Sequence, residues 1–161
     1  IGVGEIRAAA EAMSVAEASR TGHTCITTIH SNSALSSYRR MMTLVKRQYD
    51  MADAMLMQIM IEAFPLIVYT KQLEDGSRKI MEILEGEEYT DHLIYRSLYR
   101  YDVQDTRRRA NSPEVKIVGR HQKVGQMSDA LVKRFLDNGL SRREVSRFLK
   151  KEDEEPCNGS V

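Results

Sequence analysis

The chain has 161 residues, enough for one domain with a core of its own, and its 42% hydrophobic and 29% charged content is an ordinary globular balance. A formal net charge of +1 excludes bulk charge as a means of holding nucleic acid or an anionic membrane, so any such binding must rest on local clusters. The two cysteines, Cys25 and Cys157, make neither a disulfide framework nor a metal-ligand set and fit a reducing cytoplasm, and no apolar run reaches the roughly 20 residues of a spanning helix.

The chain opens Ile1-Gly2-Val3-Gly4-Glu5-Ile6-Arg7, with no initiating Met and no signal-peptide pattern, and reads as a fragment that begins inside a strand. That strand is predicted over 1–6. An Ala-rich helix follows over 8–19, with Ala9, Ala12, Met13 and Ala16 on one face, and Thr21-Gly22 ends it. A Thr/Ile-rich strand covers 24–29. A helix over 31–49 carries Leu35, Tyr38, Met42, Val45 and Tyr49 at spacings of three and four. Asp50 is placed to cap the next helix, 51–64, whose Met55, Leu56, Ile59, Met60 and Ala63 face inward and which Pro65 stops.

A strand over 66–73, an Asp75-Gly76 hairpin signal and a returning strand over 79–84 complete an α/β layered pattern. The character changes at Glu85. Leu93, Tyr95, Tyr99, Tyr101 and Val103 alternate along one face of a long strand. A polar loop over 104–114 holds Arg107, Arg108 and Arg109, and 115–119 reads as a partner strand. Two short helices follow: 127–137, closed by Asn138-Gly139, and a last one opened by the Ser141 to Glu144 capping box and running to about Lys151. The expected organisation is 1–85 as one unit, 86–151 as a strand pair with a helical subdomain, and 152–161 as a disordered tail.

Two stretches carry chemistry. One is Gly4-Glu5-Ile6-Arg7 at a strand end. The other runs from Thr21-Gly22-His23 to Ile29-His30-Ser31-Asn32-Ser33. A strand–helix–strand unit sets both strand ends on one edge of a parallel sheet, where α/β proteins bind ligands, so Glu5 and His30 should share a rim. A carboxylate there can hold a metal-bound water or orient an attacking one, and an imidazole can meet developing phosphate charge. Each residue also has a plainer reading. Glu5 can be a surface carboxylate, and His23 and His30 can cap helix ends.

The order Gly-Glu-Ile-Arg, Ala-rich helix, Thr-Gly-His and Thr-Ile-His-Ser-Asn-Ser resembles the type II/type IV secretion and pilus-assembly ATPases, with the CpaF-like ATPases of tight-adherence pili as the nearest branch. The resemblance covers about residues 1–85. It implies the C-terminal half of a RecA-like P-loop NTPase core, a parallel sheet flanked by helices with a β-hairpin, followed by a small α+β subdomain. It places the Walker B region on Gly4 and Glu5 and the histidine box on 21–33, with Glu5, His23 and His30 as catalytic residues. Gly4, Glu5, Thr28 and His30 become nucleotide contacts, and Glu5 a Mg²⁺ contact through water. It further implies ATP and Mg²⁺ as cofactors of a hexameric motor that powers pilus assembly or secretion. That motor works in the cytoplasm, peripheral to the inner membrane through a platform protein, with no role for nucleic acid.

The departure from the family is that these residues contain no Gly-rich loop ending in Lys-Ser/Thr. The chain alone is therefore expected to bind ATP weakly or not at all. A non-catalytic interaction module is the rival reading. A nucleic-acid binder built on Arg107 to Arg109 and the tyrosine strand is another, weighed against a solvated loop and a half-buried strand. Met51, Met55 and Met60 read as core, Cys25 as inert, and His92 and His121 as without metal partners.

Overall fold

The first two strands lie side by side and parallel. In the computed structural model, which describes residues 2–108 and 114–149, β1 (Gly2–Glu5) pairs with β2 (Ile26–Thr28), with Gly2 opposite Ile26 and Glu5 opposite Thr28. Between them α1 (Ala9–Arg20) buries Ala9, Ala12, Val15, Ala16 and Ser19. Small side chains let this helix lie close, and the Glu11 carboxylate ties its start by accepting from the N–H groups of Arg7 at 2.7 Å and Ala8 at 3.0 Å. Gly22, at φ +95°, lets the chain turn back after the helix.

Helices α2 (Ala34–Val45) and α3 (Asp53–Ala63) are shorter than expected. Ser33 caps α2 through Ser36 N, and the helix ends at Val45, so Tyr49 stands outside it and is 37% exposed. The expected Asp50 cap does not form. Ala52 occupies the cap position, and Asp53 on the first turn pairs with Lys46. On α3 the buried stripe is Leu56, Met57, Ile59, Met60, Ile61 and Ala63, while Met55 on the first turn faces out. Pro65 stops the helix as expected.

The remaining strands, β3 (Leu66–Gln72), β4 (Arg78–Tyr89), β5 (Leu93–Arg108) and β6 (Val115–Lys123), form an antiparallel sheet in the order β3-β4-β5-β6. The fold is α/β, with the parallel pair and the antiparallel sheet as separate sheets. β4 runs unbroken through residue 85, where the sequence changes character. The stretch 104–108, expected as loop, continues β5. Its charged side chains tolerate a solvated strand, and Arg107 and Arg108 find Asp105 and Glu74.

The expected alternation of Leu93, Tyr95, Tyr99, Tyr101 and Val103 along one face is broken. Ile83 stands opposite Tyr99 but Leu84 stands opposite Ser97, so Leu98 is one extra residue in β5 and flips the faces on either side of it. Helices α4 (Asp129–Asp137) and α5 (Arg142–Leu149) follow, α4 capped by Ser128 and α5 opened by the Ser141–Glu144 box. Expectations for Ile1, Arg109, the Asn111-Ser112-Pro113 stretch, the end of the last helix and the tail lie outside the described residues.

The main core joins α1, α2 and α3 to one face of the antiparallel sheet. At its centre Tyr38 of α2 is fully buried and donates its hydroxyl to Phe64 O at 2.5 Å. Burial holds that hydroxyl far above the ordinary tyrosine range, so it remains a neutral donor. Gly86 of β4 lies directly against the ring, and its N–H donates to Pro65 O at 3.0 Å.

Candidate functional site

The ends of β1 and β2 arrive at the same rim because parallel strands joined by one helix must point the same way. Ile6 N donates to Thr28 O at 2.8 Å and fixes the register there. Glu5 leaves β1 at this point and His30 follows β2. His30 Nε2 lies 3.3 Å from Glu5 Oε1, where an N–H on that nitrogen donates to the carboxylate. Arg7 grips the other oxygen, with Nε at 2.8 Å and Nη2 at 2.6 Å from Glu5 Oε2.

Gly4 O accepts from the hydroxyls of Thr27 and Thr28, each at 3.2 Å, which pins the two strand ends together beneath the carboxylate. The structure thus brings Gly4, Glu5, Thr28 and His30 to one place. Arg7, whose place just past the strand end suited it to pair with an acidic group, joins them on the Glu5 carboxylate.

The electrostatics favour an ionised Glu5. The Arg7 hydrogen bond, helped by the charges of Arg7, His30 and Arg40, holds its carboxyl below the usual carboxylate range, with partial desolvation opposing. A depressed carboxyl contributes stability above its unfolded-state value and loses that contribution as pH falls through the lower folded value. We expect Arg7→Met to move the Glu5 midpoint upward in a carbon-detected titration of side-chain carboxyls. An unmoved midpoint would show that the guanidinium does not hold the carboxylate in solution.

His23 does not join this rim. It precedes β2, at the opposite end of the strand from His30, and its Nδ1 sits 3.2 Å from Ala18 O, closing the end of α1. Thr21 does the same through its hydroxyl to Glu17 O and Ala18 O, so the Thr-Gly-His stretch acts here as a helix terminus.

No cluster of three or more His, Cys, Asp or Glu that could hold a metal is found among the described residues. A lone carboxylate gripped by a guanidinium is a poor direct ligand for Mg²⁺. It fits the task of ordering a water. Among the described residues no helix is long and apolar enough to cross a membrane.

Beside the rim runs a groove of about 510 Å³. Its walls are β2 with its flanks (Cys25 and Ile29) and the start of β3 (Leu66, Val68), and Met41 and Phe64 also line it. β2 pairs only with β1 and β3 only with β4 among the described residues, so both walls are unpaired strand edges.

Arg107 and Arg108 are spent in ion pairs, and Tyr101 packs edge-on to His121 at 5.0 Å with Lys79 over its ring. Comparison with curated proteins yields no match. The family model of the type II/IV secretion system proteins matches residues 1–130, from the opening strand through the whole antiparallel sheet. The Glu5–His30 rim, the parallel pair that carries it and the sheet beside it all lie within that match, and the chain belongs to the type II/IV secretion system protein family.

Proposed function

We propose that the chain forms the C-terminal part of a hexameric motor ATPase that drives pilus assembly or protein secretion, in the CpaF-like branch of its family. The observation that carries this reading is the Glu5–His30 contact at the rim of the parallel pair, with Arg7 fixing the carboxylate. In the working motor Mg²⁺ and ATP supply the electrophilic phosphorus and its charge compensation. Glu5, held ionised, orients a water with one oxygen while Arg7 keeps the other in place. His30, 85% exposed in its side chain, is free to turn toward an anionic group arriving at the rim. Gly4 and Thr28 set the strand ends on which the two side chains stand. His23 takes a structural part, closing α1. The motor works in the cytoplasm against an inner-membrane platform protein.

The chain alone lacks a phosphate-binding loop, and the open groove supports the view that one further strand belongs beside β2. Two measurements test this. Titration of Mg-ATP against the 161-residue chain and against a version extended upstream should give binding at least about tenfold tighter for the extended protein, since backbone amides and a lysine around the phosphates carry most of the affinity. Equal, weak binding by both would instead support a non-catalytic module that docks on a parent ATPase or platform protein.

Backbone direction gives the second test. Thr28 O points to β1, so Thr27 turns its N–H and C=O to the groove. Pro65 O points to β4, so Leu66 and Val68 do likewise. Their amides should exchange rapidly in the 161-residue chain and become at least about tenfold more protected in the extended one. Unchanged exchange there would remove the strand from the groove.

A further inference from the structure

Among the described residues Glu85 is the one charged side chain that is fully buried, at 2% exposure. It lies on β4 next to Leu84. Leu84 faces the main core, so Glu85 points to the opposite face of the sheet. There its Oε2 accepts from Ser128 N at 3.0 Å and its Oε1 from the Ser128 hydroxyl. Ser128 in turn caps α4 by accepting from Leu131 N at 3.1 Å.

The neighbouring cation, Arg96, is already bonded to both oxygens of Glu87 at 2.6 and 3.1 Å. Glu85 therefore relies on Ser128 and the positive end of α4, and a buried carboxylate keeps its place only while such donors stay in reach. α4 buries Leu131 and α5 buries Val145, and these, with Leu98, lie outside the main core cluster. Further hydrogen bonds to the helices run from the Arg134 guanidinium to Glu62 O at 3.1 Å and from the Lys123 ammonium to Phe148 O.

We propose that α4 and α5 form a releasable cap on the antiparallel sheet, latched by the Glu85 carboxylate on Ser128, that opens without unfolding the α1–α3 core. Losing the latch strands a charge on the sheet, so the cap is either shut with every donor in place or open with Glu85 in water. Intermediate dockings cost more than either state. The device links cap position to β4, the strand whose next residue, Gly86, packs on Tyr38.

The test is amide exchange on the 161-residue chain. In Ser128→Ala the amides of α4 and α5 should exchange at least about tenfold faster, with α1–α3 at wild-type rates. Ser128→Thr, which keeps both donors, should retain wild-type protection. Adding Glu85→Met to Ser128→Ala should restore part of the lost protection, because the stranded charge is gone. Unchanged exchange in α4 and α5, a rise shared equally by α1–α3, loss of protection in Ser128→Thr, or a double variant as open as or more open than Ser128→Ala would each overturn the latch.

Discussion

In an extended protein that carries a phosphate-binding loop, Glu5→Gln should lower ATP turnover by about 10²- to 10⁴-fold while changing nucleotide affinity little, the range expected when a positioned base is lost. The amide keeps the shape of the carboxylate and can still accept from Arg7, so the rim should stay assembled. It loses the negative charge that draws a proton from water. His30→Ala should cost less, about tenfold or more, since His30 touches only one carboxylate oxygen at 3.3 Å and is otherwise exposed. Steady-state turnover measured alongside binding separates the two effects. Turnover near wild type in Glu5→Gln would remove Glu5 from the chemistry and leave the rim as a strand-end ion pair.

A large loss of stability should follow from Gly86→Ala. A Cβ at this position would stand 2.5 Å from the Tyr38 hydroxyl oxygen and 2.9 Å from Cζ. The ring cannot swing away cheaply. It is fully buried, and its hydroxyl is bonded to Phe64 O. Overpacking of this kind costs about 1–3 kcal/mol, and a broken Tyr38 hydrogen bond adds about 1 kcal/mol more. Denaturant unfolding of the 161-residue chain should therefore show a loss of roughly 2–4 kcal/mol. Tyr38→Phe removes the oxygen that clashes, so the double variant should lose less than the sum of the singles. A Gly86→Ala loss under about 0.5 kcal/mol would mean that the ring shifts freely, and that this junction is not tightly packed.

The parts of the fold that sequence reading reached are those governed by local rules. The Ala-rich helix, its Thr21-Gly22 ending, the Ser141 box and the stop at Pro65 depend on neighbours within a few residues. The shared rim for Glu5 and His30 followed from the parallel direction of the strands in a strand–helix–strand unit. What local rules missed was set by distant partners. The faces of β5 depended on where β4 met it, and the extra Leu98 cannot be seen from alternation alone. Residues 104–108 are polar enough for a loop, yet β6 extends them as strand. His23 and His30 sit seven positions apart in one motif, and only the three-dimensional path puts β2 between them. The Tyr38–Phe64 and Glu85–Ser128 hydrogen bonds carry no local signature because they join residues 26 and 43 positions apart.

The groove between β2 and β3 has a further consequence for the chain when it is handled by itself. Two bare strand edges with apolar side chains beside them, Val68 being 53% exposed, offer a template to any extended segment, including a wrong one. Concentrated stocks should therefore thicken into sheet-rich aggregates, and a lysine at Val68 should act as a gatekeeper that keeps them clear.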